Sequence, residues 1–436
     1  MTTKTTSRKI QQMPVIVVIG YVWPEPNSSA AGSRMMQLLE FFRPHCEQLI
    51  FASPAQLSEH RADLKPLVIS EKSIKLNCQS FDDWINTIQP SLVLFDRFMM
   101  EEQFGWRVEQ QCPDCLRILD TEDLHSLREA RHQQLKIAIK NNQELSPERV
   151  NIDSLLQNMS QLDVCQREIA AIYRCDLSLM ISEFEIELLT QAFNVPAALL
   201  LHLPFMLKPL AAQTPAASFL QREHFVTIGN FRHAPNWDSV LWLKNTIWPK
   251  IRHQLPSAQL HIFGAYPSKK VTDLHKPAEG FYIKGWASSP SEVLLKARVC
   301  LSPLRFGAGI KGKFTDAMLC STPIVTTDIG AESMLADQSW PGAVANDSDS
   351  IAGAAIALYQ SQTLWSDHSD KAAAIIKCRY NSQTLQQRLA CAIAYLQQNT
   401  SQLRTNNFTG LMLRHHHHKS TKYMSQWIEA KNRAIL

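Results

Sequence analysis

Leu301-Ser-Pro-Leu-Arg-Phe-Gly-Ala-Gly-Ile-Lys-Gly-Lys-Phe-Thr-Asp316 joins an aliphatic strand to a glycine-rich turn and then to a helix that opens on two lysines. A helix N-terminus already carries about half a positive charge and unpaired N–H groups. Lys311 and Lys313 therefore oppose the helix dipole unless an anion binds between them. Local conflict of this kind marks function. The next run, Pro323-Ile-Val-Thr-Thr327, reads as another buried strand. The turn then lies at the carboxyl edge of a parallel sheet, where open α/β folds hold their ligands. A phosphate or diphosphate suits such a turn.

Outward from this stretch, short aliphatic runs alternate with helical patterns in the rhythm of βαβ units. Val15-Ile-Val-Val-Ile19, Leu49-Ile-Phe51, Leu92-Val-Leu-Phe95, Leu116-Arg-Ile-Leu119 and Leu177-Ser-Leu-Met-Ile181 form a first series. Phe225-Val-Thr-Ile228, Leu260-His-Ile-Phe263, Phe281-Tyr-Ile283, Val299-Cys-Leu301 and Ile324-Val-Thr326 form a second. Between them the chain turns rich in Ala, Leu, Pro, Gln and Ser, the composition of a linker. The predicted fold is α/β, with two facing, doubly wound, Rossmann-like domains and an interdomain cleft. Residues 1–12 read as a polar tail, 13–205 as the first domain, 206–222 as the linker and 223–398 as the second domain. Helices are expected near 348–361 and 370–398. Residues 399–436 read as a polar tail with a candidate terminal helix, 423–436, that could dock back on the core or stay loosely attached. Residues 122–160 are expected to form helices around a charged loop marked by Asn141-Asn142 and Ser146-Pro147.

A chain of 436 residues exceeds what one core usually organises. With 45% hydrophobic and 19% charged residues it is ordinary globular material, and disorder over most of its length is excluded. A net charge of +4 is too mild to argue for nucleic acid. The first dozen residues lack the apolar core of a signal peptide, and no run approaches a membrane span. A cytoplasmic location is expected, and ten cysteines without framework spacing agree with it. Cys112-Pro-Asp-Cys115 has redox or half-zinc spacing but no second pair, so a structural role is favoured. The run of histidines from His415 to His418 is assigned no chemistry. Lys419, Lys422 and Lys431 could touch an anionic membrane surface, although a solvated face explains such lysines more often.

Read in order, Gly229-Asn-Phe-Arg-His-Ala-Pro-Asn-Trp-Asp238, Ile247-Trp-Pro249, Phe263-Gly264, Gly285-Trp286, the glycine turn to Lys311 and Thr327-Asp-Ile-Gly-Ala-Glu332 resemble the donor-binding domain of GT-B glycosyltransferases. They are most similar to the group-1 or family-4-like bacterial enzymes that use nucleotide sugars in glycan biosynthesis. The resemblance covers nearly all of residues 223–395. In the first domain, Ser28-Ser-Ala-Ala-Gly-Ser-Arg34, Leu119-Asp-Thr-Glu-Asp-Leu-His-Ser-Leu-Arg128 and Arg174-Cys-Asp-Leu-Ser-Leu-Met-Ile-Ser-Glu183 also resemble family segments.

The resemblance implies transfer of a sugar from a nucleotide diphosphate to a glycan, lipid-linked sugar or protein acceptor, with no cofactor and no metal. Arg305 and Lys311 stand where the family holds the donor diphosphate. A guanidinium with an ammonium suits a leaving group whose charge grows as the glycosidic bond breaks. Asp316, about two helical turns beyond Gly309, can accept the ribose hydroxyls. Gly285 and Trp286 resemble the turn that meets the nucleobase. Asn230 and Asn236 replace the Arg and Lys of many relatives, with Arg232 and His233 as auxiliaries. Ala308 replaces the earlier of the family's paired glutamates, which lies near the sugar. On the acceptor side, His125 could bind a sugar hydroxyl or take a proton, flanked by Asp120, Asp123 and Arg128. Gly32, Ser33 and Arg34 open a helix that can approach the phosphates. The departures at Ala308, Asn230 and Asn236 keep a second reading open, a catalytically silent GT-B scaffold that binds a nucleotide sugar or a partner enzyme. A dinucleotide oxidoreductase is disfavoured, because neither opening strand leads into a G-x-G-x-x-G turn.

Overall fold

The computed structural model describes residues 9–141, 152–208, 218–335 and 337–435. The charged loop within 122–160 and most of the expected linker lie outside the described residues. Seven strands build the first sheet: β1 (Met13–Ile19), β2 (Cys46–Ser53), β3 (Ser70–Ser73), β4 (Leu92–Asp96), β5 (Leu116–Glu122), β6 (Leu177–Met180) and β7 (Leu200–His202). Six build the second: β8 (Glu223–Ile228), β9 (Leu260–Phe263), β10 (Phe281–Gly285), β11 (Ala297–Leu301), β12 (Ile324–Thr326) and β13 (Gly342–Val344). Their orders are β3-β2-β1-β4-β5-β6-β7 and β10-β9-β8-β11-β12-β13, with every pairing parallel.

The central strands are unbroken aliphatic runs because helices cover both faces. In β1, Ile16 and Val18 pack with Leu92, Leu94 and Ile118 on one face. Val17 and Ile19 pack with Val93 and Phe95 on the other. Strand order reverses between β1 and β4 and again between β8 and β11, so the loops after β1 and β8 splay apart and leave crevices. The two crevices merge into a cleft of about 830 Å³ lined by both domains.

The chain's end departs from the expected boundaries. Instead of one helix over 370–398, helix Gln362–Arg379 stops before Tyr380-Asn381, and Asn381 caps the helix Ser382–Asn406 by accepting the Thr384 N–H at 3.0 Å. Leu385, Leu389, Ile393 and Leu396, spaced as one helical stripe, then join the core of the first domain. Arg404 fixes the crossing with two 2.7 Å bonds to Asp176. The terminal helix begins well before residue 423 and is docked. Helix Phe408–Ile435 lies on helices Phe98–Gln111 and Asp163–Arg174 of the first domain. Its Tyr423, Met424 and Trp427 remain exposed. Among the described residues no helix is long and apolar enough to cross a membrane. Cys112 and Cys115 are buried free thiols, and burial pushes the first up to about 11 and the second higher still. Thiols so held are inert.

Candidate active site

The glycine turn after β11 enters the cleft. Gly309 sits at φ +62°, and a Cβ there would lie 2.9 Å from Cβ of Asp123 across the domain boundary, so both backbone and space require glycine. Lys311 is the N-cap of helix Gly312–Leu319 and offers no side-chain cap. Its ammonium folds back onto the carbonyls of Gly309 (2.5 Å) and Ala308 (3.3 Å). Lys313 donates to Oδ1 of Asn236 at 2.6 Å. Burial lowers both lysines to about 8. The Asp316 carboxyl, one turn beyond Lys313, finds no hydrogen-bond partner among the described residues, and burial raises it to about 7. All three line the cleft.

The loop after β8 supports this array. Asn236 donates to the Asn230 carbonyl at 2.8 Å, while Oδ1 of Asn230 accepts the Arg232 N–H at 2.8 Å. The Asn230 amide reaches Ser28 of the first domain at 3.1 Å. The two asparagines thus connect the domain boundary to Lys313. Arg232 lies 3.5 Å over the Tyr266 ring, and Tyr266 donates to Glu25 of the first domain at 2.7 Å.

Arg305 does not join Lys311. The segment after β11 bends at Arg305 and Phe306, and Leu304 and Phe306 line the cleft while Arg305 does not. Its guanidinium is held by both oxygens of Asp238 (3.0 and 2.6 Å) and lies 5.2 Å over Trp242. Lys313 is the cation that stands with Lys311. Gly285 is at the rear of its turn, at φ +76°, with its carbonyl accepting the Gly264 N–H at 2.8 Å, and it is not part of the cleft lining. Trp286 is, but its ring stacks on His60 of the first domain at 4.3 Å and its indole N–H donates to the Asn27 carbonyl at 3.0 Å.

On the first domain, β5 delivers Asp123, His125 and Arg128 to the cleft. Burial raises Asp123, but Arg128 and His125 outweigh it and hold the carboxylate well below its usual range. His125 stands 3.5 Å from Asp123, and burial lowers it to about 4 despite that neighbour. His233 of the second domain is likewise lowered to about 4, so two neutral imidazoles flank Asp123. Asp120 is directed away, in a buried ion pair with Arg34 at 2.8 Å. Arg34 therefore never reaches a phosphate. Ser29, not Ser33, caps the helix Ala30–Phe42, and its hydroxyl already takes the Gly32 N–H at 3.0 Å. Gly32 lines the cleft, and a Cβ there would lie 2.3 Å from the Glu25 carbonyl oxygen, so only glycine fits.

Several participants escaped the sequence reading. Glu185 and Arg131 of the first domain grip the glycine turn through Gly309 N–H (2.8 Å) and the Gly307 carbonyl (2.8 Å). Arg131 also pairs with both oxygens of Glu332 at 2.9 and 2.6 Å. Asp96, Arg97 and Glu122 line the cleft at the ends of β4 and β5. Charged residues that finish a buried strand were the available signal for those three.

Residues 222–361 match the family model described as "Glycosyl transferases group 1". No curated protein matches the chain. Among solved structures, HepE of Anabaena in complex with UDP-glucose aligns with a TM-score of 0.59 at 12% identity, covering 87% of this chain and 98% of that one. A glycosyltransferase of Rickettsia africae aligns at 0.61 and 9%, covering 88% and 98%. A TarM variant from S. aureus, in complex with fondaparinux, alpha-GlcNAc-glycerol and UDP, aligns at 0.54 and 12%, covering 72% of this chain. The chain spans 58% of TarM's length. Residues 222–361 are thus similar to group 1 glycosyltransferases, and the chain as a whole has the two-domain GT-B fold.

Proposed function

We propose that the protein transfers a sugar from a nucleotide diphosphate sugar, held on the second domain, to an acceptor bound mainly on the first. The observation that carries this reading is the convergence of Lys311, Lys313 and Asp316 around one glycine turn in the interdomain cleft. As the glycosidic bond breaks, negative charge grows on the departing diphosphate. Two ammonium groups in a dry site stabilise that charge more than they stabilise the intact donor, so the proposed reaction needs no metal ion. The Asp316 carboxyl, with no side-chain partner among the described residues, is placed to accept the ribose hydroxyls. Neutral His125 can accept a hydroxyl proton or donate a hydrogen bond to a sugar. HepE, solved with UDP-glucose, supports the choice of UDP as the first nucleotide to try. The silent-scaffold reading finds no support in the comparisons.

Thermal unfolding with UDP, GDP and ADP tests the donor site, because a ligand of the folded state raises apparent stability. One diphosphate should raise the transition by several degrees, and Lys313→Ala should abolish most of that shift. Release of the matching nucleotide from its sugar ester, undiminished by EDTA, is expected of the wild-type chain. No stabilisation by any diphosphate overturns the reading.

A further inference from the structure

The first-domain wall of the cleft holds charged groups whose hydrogen-bonding capacity the fold uses only in part. β4 runs into Asp96 and Arg97, and β5 into Glu122, on adjacent parallel strands with Asp96 opposite Asp120. Oδ2 of Asp96 accepts the Tyr21 N–H at 3.0 Å, while Oδ1 is buried without a partner. Oε1 of Glu122 is also buried without a partner. The two residues are only 4% and 8% exposed, yet both line the cleft. Arg97 lies between them in chemistry. Its guanidinium is 3.6 Å from the Asp96 carboxylate and 5.3 Å over the Tyr21 ring, with no side-chain hydrogen bond among the described residues. Beside them, Arg34 and Asp120 satisfy one another at 2.8 Å, so Arg34 is already committed.

We propose that Asp96, Arg97 and Glu122 form the acceptor subsite, and that it takes an uncharged, polyhydroxylated sugar. This rests on the glycosyltransferase reading and names the chemistry of its second substrate. Buried polar groups left unpartnered are costly, and a ligand that supplies both donors and acceptors relieves them together. A hydroxyl does both. Arg97 donates to a sugar oxygen, and the Asp96 and Glu122 carboxyl groups, whose unpartnered oxygens are closed to solvent, turn towards sugar O–H groups as the ligand enters. An anionic acceptor is disfavoured, because three carboxylates face two guanidiniums here and one guanidinium is spent on Asp120. Burial, with Asp120 nearby, lifts Glu122 well above the usual carboxylate range, and burial also raises Asp96. A retained proton lets that carboxyl donate as well as accept.

Saturation-transfer NMR on the full chain, with and without saturating UDP, tests the proposal without requiring turnover. The probes are methyl glucoside, methyl galactoside and maltose, each neutral, against methyl glucuronide and glucose 6-phosphate. Signals from at least one neutral sugar and much weaker ones from the two anions are expected. Glu122→Gln and Asp96→Asn should each weaken neutral-sugar binding about tenfold, the loss typical of a mispaired buried hydroxyl site. Arg97→Lys should do so too. Retained UDP stabilisation in each variant shows that the chain has folded. No signal from any neutral sugar, equal binding of the anions, or variants that bind neutral sugars as the wild type does would overturn the subsite. Failure of every nucleotide diphosphate to bind would instead count against the glycosyltransferase reading, and the spectra without UDP keep the two apart.

Discussion

Glu185 of the first domain accepts the Gly309 N–H of the second at 2.8 Å through the same oxygen that accepts Leu124 N–H at 3.0 Å. One carboxylate oxygen thus ties the donor turn to the segment carrying Asp123 and His125. Burial first, and then the charge of Asp123, raises Glu185 to about 8. Its other oxygen is buried without a partner.

The sign of the pH effect follows. An unfolded glutamate titrates near 4.3, so the folded state holds this proton more tightly. The native state is favoured most below the unfolded value, and that advantage declines as pH rises through about 8. Glu185→Gln keeps the accepting oxygen but cannot ionise. Its stability relative to wild type should climb between pH 5 and 8, by at most about 4 kcal/mol. Parallel denaturant-unfolding profiles for the two proteins would refute this. Glu185→Ala, which strands two buried N–H groups, should lose about 1–3 kcal/mol and loosen nucleotide binding.

Much of this architecture is legible in the chain. Ten aliphatic runs mark ten of the thirteen strands, because a parallel strand covered on both faces has no polar side to show. The missed strands are all edges. Ser70-Glu-Lys-Ser73 is wholly exposed, so nothing apolar announces it, and β7 and β13 have three residues each. Asp316 reaches the cleft because helix periodicity places it one turn beyond Lys313. Arg305 misleads for the opposite reason. It lies in an irregular segment, where neither period applies and a distant Asp238 captures it. Glu185 and Arg131 were invisible because their partners belong to the other domain.

Nucleotide affinity should fall as pH rises. Lys311 and Lys313, lowered to about 8 by burial, are charged below that value and progressively neutral above it. The terminal phosphate is already ionised above its second pKa of about 6, so it adds no titration between pH 7.5 and 9.5. Calorimetry with UDP should record a loss of about tenfold or more over that range, with proton uptake on binding near pH 8.5. A flat profile would mean that the lysines keep their protons or do not meet the diphosphate.

Arg305→Ala separates stability from binding. The guanidinium is 23% exposed and shares two hydrogen bonds with Asp238, so its removal should cost about 1–2 kcal/mol of unfolding free energy. UDP affinity should stay within about threefold of wild type, since no part of Arg305 lines the cleft. Lys313→Ala should reverse the pattern. A large loss of UDP affinity in Arg305→Ala at unchanged stability would restore Arg305 to the diphosphate site.

Asp316 combines a stability penalty with a binding role. Its carboxyl is raised to about 7 by burial alone, against about 3.9 unfolded, so ionising it opposes folding increasingly as pH climbs towards 7. Asp316→Asn removes that opposition and should raise the thermal transition at pH 8 but not at pH 4. On the proposed reading the ionised carboxylate is nevertheless what accepts two ribose hydroxyls. Wild type should therefore prefer uridine diphosphate to its 2′-deoxy counterpart by about tenfold. Asp316→Ala should bind the two alike. Discrimination that survives the substitution would place the ribose elsewhere, and a transition that drops at pH 8 would mean that Asp316 has a stabilising partner in the folded chain.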